Sequence, residues 1–444
     1  MNGIDSLIRE RIASVAAFEI VTDPAQVREN VARRQRRMRR RRRTAVLVGV
    51  LATAGLAVGV AGVLTEVASE DDVAVQATQP TAGPGTSVPP ASDVSAAWSR
   101  LPAGPLAPRT GYASVWTGRE LLIWGGASTE PSGATYHSDG AAYDAASGQW
   151  RSLPEAPFSG RFGSVTVWTG TEMLVIGGED DSGGRLDAVA YTPGSDTWRV
   201  LPSGLPRGSR AIAAIWSDDH AVVAVTNGGD SGYDPTGIAY SQGVTDVVQL
   251  WPNTSNWTSL PAPPISVNRQ IDFVESSAGE LLVGGLVDEL GNSLPDSAGV
   301  VVQRLDEGSG GWTLLPQVDL LPQAVAMADL DGTLIAVDYQ LGTTQSDDGG
   351  VGWTTLSRIP LDAMECAPEV VPADGSLFVW YCGQAAILNP SKSWVPVTWP
   401  DLASTTLRGI DTTVSWSARD LLVWGRDVDT GETLMLAFSP EAFV

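Results

Sequence analysis

The stretch Trp150-Arg151-Ser152-Leu153-Pro154 is the key to the fold, because the phrase Trp-x-x-Leu-Pro recurs along the chain. The copies, exact or degenerate, begin at Trp98, Trp150, Trp198, Trp257, Trp312, Trp353 and Trp394. Successive copies lie 52, 48, 59, 55, 41 and 41 residues apart. A repeat of roughly 50 residues is typical of β-propeller blades.

Each period contains two further phrases that indicate strands. Residues 114–126 are echoed by residues 166–178, and both have an apolar stretch, a turn around Gly118 or Gly170, and a second apolar stretch. This pattern predicts a hairpin. A second hairpin is predicted between Tyr143 and Trp150, which are separated by a turn. Two hairpins per period give the four strands of one blade, so the sequence predicts an all-β propeller.

The chain resembles the kelch-type β-propeller family, which includes galactose-oxidase-like propellers, over residues 98–444. The resemblance rests on Arg109 and Arg161 at the start of first strands, on Gly-Gly doublets, and on the Tyr…Trp hairpin. The doublet is lost after Trp216, which is a departure from the pattern. Residues 346–353 also look like the Asp-box turn of sialidase-type propellers. That motif is structural in its family, so it implies a propeller and not a sialidase.

Counting strands predicts how the ring closes. The last three-strand set ends near residue 438 without a tryptophan-bearing strand of its own, whereas the strand of Trp98 is left over at the start. We therefore expect the Trp98 strand to complete the final blade, giving seven blades and no open edge.

The region before the repeats predicts a membrane anchor. Residues 45–64 contain no charge and are long enough to cross a bilayer as a helix. Nine arginines lie in residues 33–43, so the positive-inside rule places the N-terminus in the cytoplasm. We expect four parts: a basic cytoplasmic segment (1–44), a transmembrane helix (45–64), a flexible linker rich in Pro, Ala, Thr and Ser (65–97), and an extracytoplasmic propeller (98–444). Two alternatives stay open, namely a nucleic-acid-binding arginine patch and a cleaved export signal.

Charge and composition narrow the partners of the repeat region. The formal net charge is −23, although residues 1–43 carry 12 arginines. An acidic body repels nucleic acids and anionic lipid surfaces, so we expect no nucleic-acid partner. A single lysine against 27 arginines indicates a GC-rich bacterial genome.

The two cysteines, Cys366 and Cys382, flank a predicted hairpin. Outside the cytoplasm they are expected to form a disulfide, the alternative being two buried thiols. With two cysteines and only His137 and His220, no metal site is expected.

Catalytic motifs and cofactor-binding motifs are not evident in the sequence. The Tyr, His and Cys ligand set of kelch-type copper oxidases has no match here, and we expect neither a cofactor nor a catalytic residue. Acidic residues in loops after the Gly-Gly positions predict a negatively charged rim that favours cations or a basic protein, or that simply keeps the domain soluble. The candidate acidic rim comprises Glu179, Asp180, Asp181, Asp230, Asp234, Asp288, Glu289, Asp427 and Asp429.

Tryptophans at one repeat position have two interpretations. Trp116, Trp168, Trp216 and Trp416 could stack on sugars, but their repetition favours packing between blades. The sequence thus predicts a surface-anchored binding module for an unknown protein or glycan. The alternatives are an extracytoplasmic hydrolase or lyase acting on glycans, and a sensor that signals through a cytoplasmic partner.

Overall fold

The structure is a computed structural model that describes residues 98–440 with short internal gaps. The gaps are residues 131–132, 228–231, 234–238, 241–243, 266, 277–278, 287–299, 307–309, 322–324, 365–366, 374, 398–406 and 428–429. The predicted cytoplasmic segment, transmembrane helix and linker lie outside the described residues. Within the described part, no helix is long and apolar enough to cross a membrane.

The described residues form β-strands throughout. The first thirteen strands are β1 (Trp98–Leu101), β2 (Ala113–Trp116), β3 (Glu120–Trp124), β4 (Ala127–Glu130), β5 (Gly133–Tyr136), β6 (Gly140–Asp144), β7 (Gln149–Ser152), β8 (Val165–Trp168), β9 (Met173–Ile176), β10 (Glu179–Asp180), β11 (Gly183–Gly184), β12 (Ala188–Thr192) and β13 (Thr197–Leu201).

The next ten are β14 (Ser209–Ser217), β15 (His220–Asn227), β16 (Gly232–Tyr233), β17 (Ala239–Tyr240), β18 (Asp246–Trp251), β19 (Asn256–Leu260), β20 (Val267–Ser276), β21 (Gly279–Leu286), β22 (Val300–Asp306) and β23 (Gly311–Leu314). The last are β24 (Val325–Leu330), β25 (Thr333–Asp338), β26 (Thr343–Ser346), β27 (Thr354–Thr355), β28 (Glu369–Ala373), β29 (Ser376–Tyr381), β30 (Gln384–Leu388), β31 (Trp394–Val397), β32 (Leu407–Trp416), β33 (Leu421–Asp427) and β34 (Thr433–Phe438).

In the described part of the chain these strands build seven four-stranded antiparallel sheets. From the inner strand outward, blades 1 to 7 are β2-β3-β6-β7, β8-β9-β12-β13, β14-β15-β18-β19, β20-β21-β22-β23, β24-β25-β26-β27, β28-β29-β30-β31 and β32-β33-β34-β1. The inner strands contact one another in order, and β32 returns to β2. The described residues therefore form a seven-bladed β-propeller, which confirms the predicted all-β architecture and blade number.

The strand of Trp98 closes the ring as predicted. It is the outer strand of blade 7 and pairs antiparallel with β34, from Trp98 opposite Phe438 to Leu101 opposite Met435. The Trp98 ring is buried and lies 5.0 Å from the ring of Phe438. The N- and C-terminal strands of the propeller thus share one sheet, and the ring presents no unpaired edge at its seam.

The Trp-x-x-Leu-Pro phrase links the outer strands of successive blades. The indole N–H of Trp150 in blade 1 donates to the Pro102 carbonyl of the preceding copy at 2.7 Å. The same bond recurs for Trp198 to Pro154 at 3.0 Å, Trp257 to Pro202 at 2.9 Å and Trp312 to Pro261 at 2.8 Å. Each proline carbonyl accepts a bond because the next blade places an indole against it. The Trp-x-x-Leu-Pro phrase thus recurs together with one hydrogen bond, from the indole of each blade to the proline carbonyl of the preceding copy.

The last two copies of the phrase have different partners. The indole of Trp353 donates to the Gly350 carbonyl within its own turn at 3.0 Å, and that of Trp394 donates to the Thr343 hydroxyl at 3.3 Å. In the turn before Trp353, the Asp348 carboxylate accepts from the Gly352 N–H at 2.7 Å. The Asp-box-like residues therefore stabilise a local turn, which is the structural role that the resemblance implies.

The hydrophobic core is divided among the interfaces between blades. In the described residues, one cluster of buried apolar side chains lies between each pair of neighbouring blades. In the interface of blades 1 and 2, the fully buried Trp124 ring lies 5.1 Å from Trp198. Because each blade is buried on both faces, its inner strands are predominantly apolar, and polar function is left to the two ends of the ring.

Two faces of the ring are defined by their connections. The loop face carries the connections between second and third strands and those between blades. The turn face carries the connections between first and second strands and between third and fourth strands. The central channel runs between these faces and is lined by the seven inner strands.

Candidate functional site

The loop face of blades 1 to 3 carries extra hairpins between the second and third strands. They are β4–β5, β10–β11 and β16–β17. Glu179 of the second hairpin forms an ion pair with Arg210 of blade 3 at 2.7 Å. Burial raises the pKa of Tyr136 on the first hairpin, and the nearby carboxylates of Glu179 and Asp181 raise it further. The hairpins of adjacent blades therefore meet in one polar surface.

Two buried arginines hold this surface in place. Arg109 and Arg161 are 2% and 1% exposed. Arg109 donates to the Gly125 carbonyl at 3.2 Å and to both carboxylate oxygens of Asp139 at 2.6 and 3.2 Å. Arg161 makes the equivalent bonds in blade 2, to the Gly177 carbonyl and to Asp187. Each guanidinium ties the connection between two blades to the Gly-Gly turn of its own blade, which explains why arginine and the doublet occur together.

The candidate acidic rim divides into residues with different roles. Asp180 is buried and accepts from the Ser159 hydroxyl and from the Ser182 N–H. Burial alone would raise its pKa, but these hydrogen bonds and the charge of Arg185 lower it. Asp427 is also buried and accepts from the Thr430 N–H at 3.0 Å. Both carboxylates stabilise turns.

Other members of the rim are at the surface or outside the described residues. Asp181 is exposed on the β10–β11 hairpin, beside the paired Glu179. The remaining members lie outside the described residues: Asp230, Asp234, Asp288, Glu289 and Asp429. The negative rim as a whole stays a prediction.

The two histidines lie in different settings. His137 Nε2 is 3.0 Å from the Ser128 hydroxyl on the first hairpin, a pair that the sequence analysis did not identify. Burial lowers the pKa of His137, and the charge of Arg109 lowers it further. A catalytic triad needs a carboxylate that orients the imidazole, but both oxygens of Asp139 bind Arg109. His220 stacks on Trp251 with ring centroids 4.8 Å apart. These contacts fit structural roles.

Two inner strands carry carboxyl groups at the same level of the repeat. Asp272 and Glu369 lie on inner strands of blades 4 and 6, and each pairs with a residue eleven positions further on. The equivalent residues of blades 1, 3 and 5 are Ala113, Ala213 and Ala326. Blades 2 and 7 have Val165 and Thr413 there. A carboxylate at a repeat position that is uncharged in the other five blades was the signal that the sequence analysis missed.

Burial affects both carboxyl groups. Glu369 is half-buried, and burial raises its pKa to about 8. Burial also raises the pKa of Asp272, whose side chain is exposed and accepts from the Phe273 N–H at 2.8 Å. The exposure of the Asp272 side chain to solvent moderates this rise. Both groups thus favour the protonated form more than free side chains do.

The four tryptophans at the equivalent repeat position are half-buried at the turn face. Trp116, Trp168, Trp216 and Trp416 each pack against a core cluster between two blades. Each indole ring covers the end of one cluster and remains partly accessible to solvent.

The remaining site predictions are placed as follows. Cys382 is disulfide-bonded, whereas Cys366 lies outside the described residues, so the pairing of these two cysteines stays a prediction. In the described residues, no group of three or more His, Cys, Asp or Glu side chains could hold a metal ion.

Comparison with known proteins assigns no family to this chain. No family model matches it, and no curated protein matches it.

Proposed function

We propose that this chain is a membrane-anchored binding module whose kelch-like propeller recognises a protein or a glycan outside the cytoplasm. The observation that carries this proposal is the extension of three adjacent blades into hairpins on the loop face. Loops that project from a rigid scaffold are the usual place for recognition residues, because loop sequences can vary without cost to the core.

The scaffold below these hairpins favours binding. Arg109 and Arg161 connect the hairpin bases to the blades through buried hydrogen bonds. A surface held in this way loses little conformational freedom when a ligand binds, which favours affinity. The exposed Asp181 and the half-buried Tyr136 supply a charge and an aromatic hydroxyl for contacts.

The membrane anchor is supported by the apolar residues 45–64 and the arginines that precede them. Protease treatment of intact cells that express the full-length chain with an N-terminal tag tests this topology. We expect the propeller to be cleaved while the tag remains protected. A protected propeller, or a chain released from membranes by alkaline carbonate, would refute the anchor.

A panel of cell-wall glycans and surface proteins tests binding on the full-length chain. We expect retention of one ligand without conversion, and weaker retention by Tyr136→Ala. The matched control is Tyr339→Ala, a tyrosine in blade 5 away from the three hairpins. Formation of a product from any glycan would refute the binding-module proposal and favour the hydrolase or lyase alternative.

A further inference from the structure

The turn face around the channel mouth is divided into an aromatic part and an acidic part. We call Trp116, Trp168, Trp216 and Trp416 the tryptophan arc. All four pair with a residue five positions further on, so they lie at one level of the channel. They occupy blades 7, 1, 2 and 3, whose inner strands contact one another in that order. Four adjacent first strands therefore end in a half-buried tryptophan on the turn face, of which Trp416 also stacks on Phe378 of blade 6.

Three indoles of the arc differ from the tryptophans that build the blades. Trp124, Trp150 and Trp424 each donate their indole N–H to a carbonyl oxygen. Among the described residues, the N–H groups of Trp116, Trp168 and Trp216 have no hydrogen-bond acceptor. These three N–H groups are also not among the buried side-chain N and O atoms that lack a hydrogen-bond partner.

The other part of the mouth is acidic. We call Asp218, Glu275 and Asp331 the acidic arc. All three are exposed and lie at or next to the first turns of blades 3, 4 and 5. Glu275 is at the level of the indoles, since it pairs with a residue five positions further on. Within the described residues none of the three has an ion-pair partner.

The arginines on this face do not neutralise the acidic arc. Arg119 pairs with Asp144 at 2.8 Å, and Arg419 lies 3.8 Å from Asp420. Arg119 and Arg419 belong to blades 1 and 7, on the aromatic side of this face. Arg304 of blade 4 lies beside Gly279 in the first turn of that blade, but within the described residues it forms no ion pair with the acidic arc. The acidic arc therefore attracts a cation from outside.

These observations select the chemistry of the ligand. A guanidinium stacks on indole faces and pairs with carboxylates through a planar set of donors, whereas an ammonium behaves as a compact charge. We propose that the channel mouth on the turn face binds an arginine-rich peptide segment of a partner protein, with its guanidinium groups on the tryptophan arc and the acidic arc. This site lies on the opposite face from the proposed ligand surface and does not depend on it.

Fluorescence anisotropy with labelled hexa-arginine and hexa-lysine tests the site on the purified full-length chain. We expect hexa-arginine to bind about three-fold or more tightly than hexa-lysine, because only guanidinium gains from stacking. Glu275→Gln should raise the Kd of both peptides about two- to five-fold, as expected for the loss of an exposed ion pair. Trp168→Leu should raise the Kd of hexa-arginine by a similar factor and change hexa-lysine less.

The matched control is Glu155→Gln, which removes an exposed carboxylate from the loop face between blades 1 and 2 and should leave both affinities unchanged. Thermal unfolding confirms that each variant is folded, and Trp168→Phe replaces Trp168→Leu if the latter is not. Equal affinity of the two peptides for the wild-type chain would overturn the proposal. So would the absence of binding, or weakening by Glu155→Gln but not by Glu275→Gln.

Discussion

Replacing Glu369 by glutamine should stabilise the protein at high pH and leave it unchanged at low pH. Glu369 begins β28, and its side chain lies on the same side of that strand as Val371, which packs into the cluster between blades 6 and 7. Within the described residues it has no hydrogen-bond or ion-pair partner. Burial therefore raises its pKa from 4.5 to about 8.

The sign follows from proton binding. Between pH 4.5 and about 8 the folded protein retains a proton on Glu369 that the unfolded chain releases. The free energy of unfolding therefore falls as pH rises through this window, and the full cost is present above it. Below this pH window Glu369 is protonated in both the folded and the unfolded state, so its ionisation does not affect the free energy of unfolding.

The magnitude follows from the size of the pKa change. At about 1.36 kcal/mol per pKa unit the change corresponds to roughly 5 kcal/mol as an upper bound. Because the side chain is only half-buried, solvent screens part of this cost, and we expect about 1–3 kcal/mol. Glu369→Gln cannot ionise, so it should recover this amount near pH 9.

Urea unfolding of the wild-type chain and of Glu369→Gln, at about pH 4 and about pH 9, measures the effect. The matched control is Glu275→Gln, an exposed carboxyl group on another inner strand, whose stability difference should vary little between the two pH values. A pH-independent difference for Glu369→Gln, or destabilisation near pH 9, would show that the carboxyl group is not confined as described.

Three further predictions concern the scaffold. Trp98→Ala should lower the free energy of unfolding by about 3–5 kcal/mol, because a buried ring leaves the closing sheet, and urea unfolding showing a loss below about 1 kcal/mol would contradict the closure role. Arg161→Met should lower the free energy of unfolding by about 3–5 kcal/mol, because Asp187 loses its buried partner. The double variant Arg161→Met with Asp187→Leu should lose less stability than Arg161→Met alone. An equal or greater loss would argue against the ion pair. Trp150→Phe should cost about 1 kcal/mol more than Trp116→Phe in the same assay, since only Trp150 loses a hydrogen bond, and equal losses would show that the bond to the proline carbonyl contributes nothing.

The repeat predicts the architecture because its period reflects the size of one blade. The spacing of the Trp-x-x-Leu-Pro copies and the unmatched strand at Trp98 were enough to predict closure, which the pairing of Trp98 with Phe438 confirms. The number and order of the strands depend on hairpins, which are local in sequence, and on the pairing of the strand that closes the ring. Both features can be recognised as patterns along the sequence.

The roles of individual polar residues were harder to predict. Asp180 and Asp181 are neighbours with the same charge in one predicted rim, yet Asp180 is buried in a turn and Asp181 is exposed. Successive residues of a short hairpin point in opposite directions, so the difference depends on a register that composition does not report. The pair of Ser128 and His137 was missed for the same reason, because their contact requires the β4–β5 hairpin.

The sequence by itself determined that this chain contains a ring of blades and where that ring closes, since both follow from a recurring phrase and its count. Only the tertiary structure decided what the recurring residues do. Trp150 and Trp168 belong to two recurring phrases whose side-chain partners the sequence does not give. The indole of Trp150 donates to the Pro102 carbonyl of the preceding blade, whereas Trp168 is half-buried against the cluster between blades 1 and 2. Likewise Glu369 becomes a half-buried carboxyl group only when its strand packs between the inner strands of the two neighbouring blades. A side chain's partners come from other blades, and these are brought together only when the ring closes.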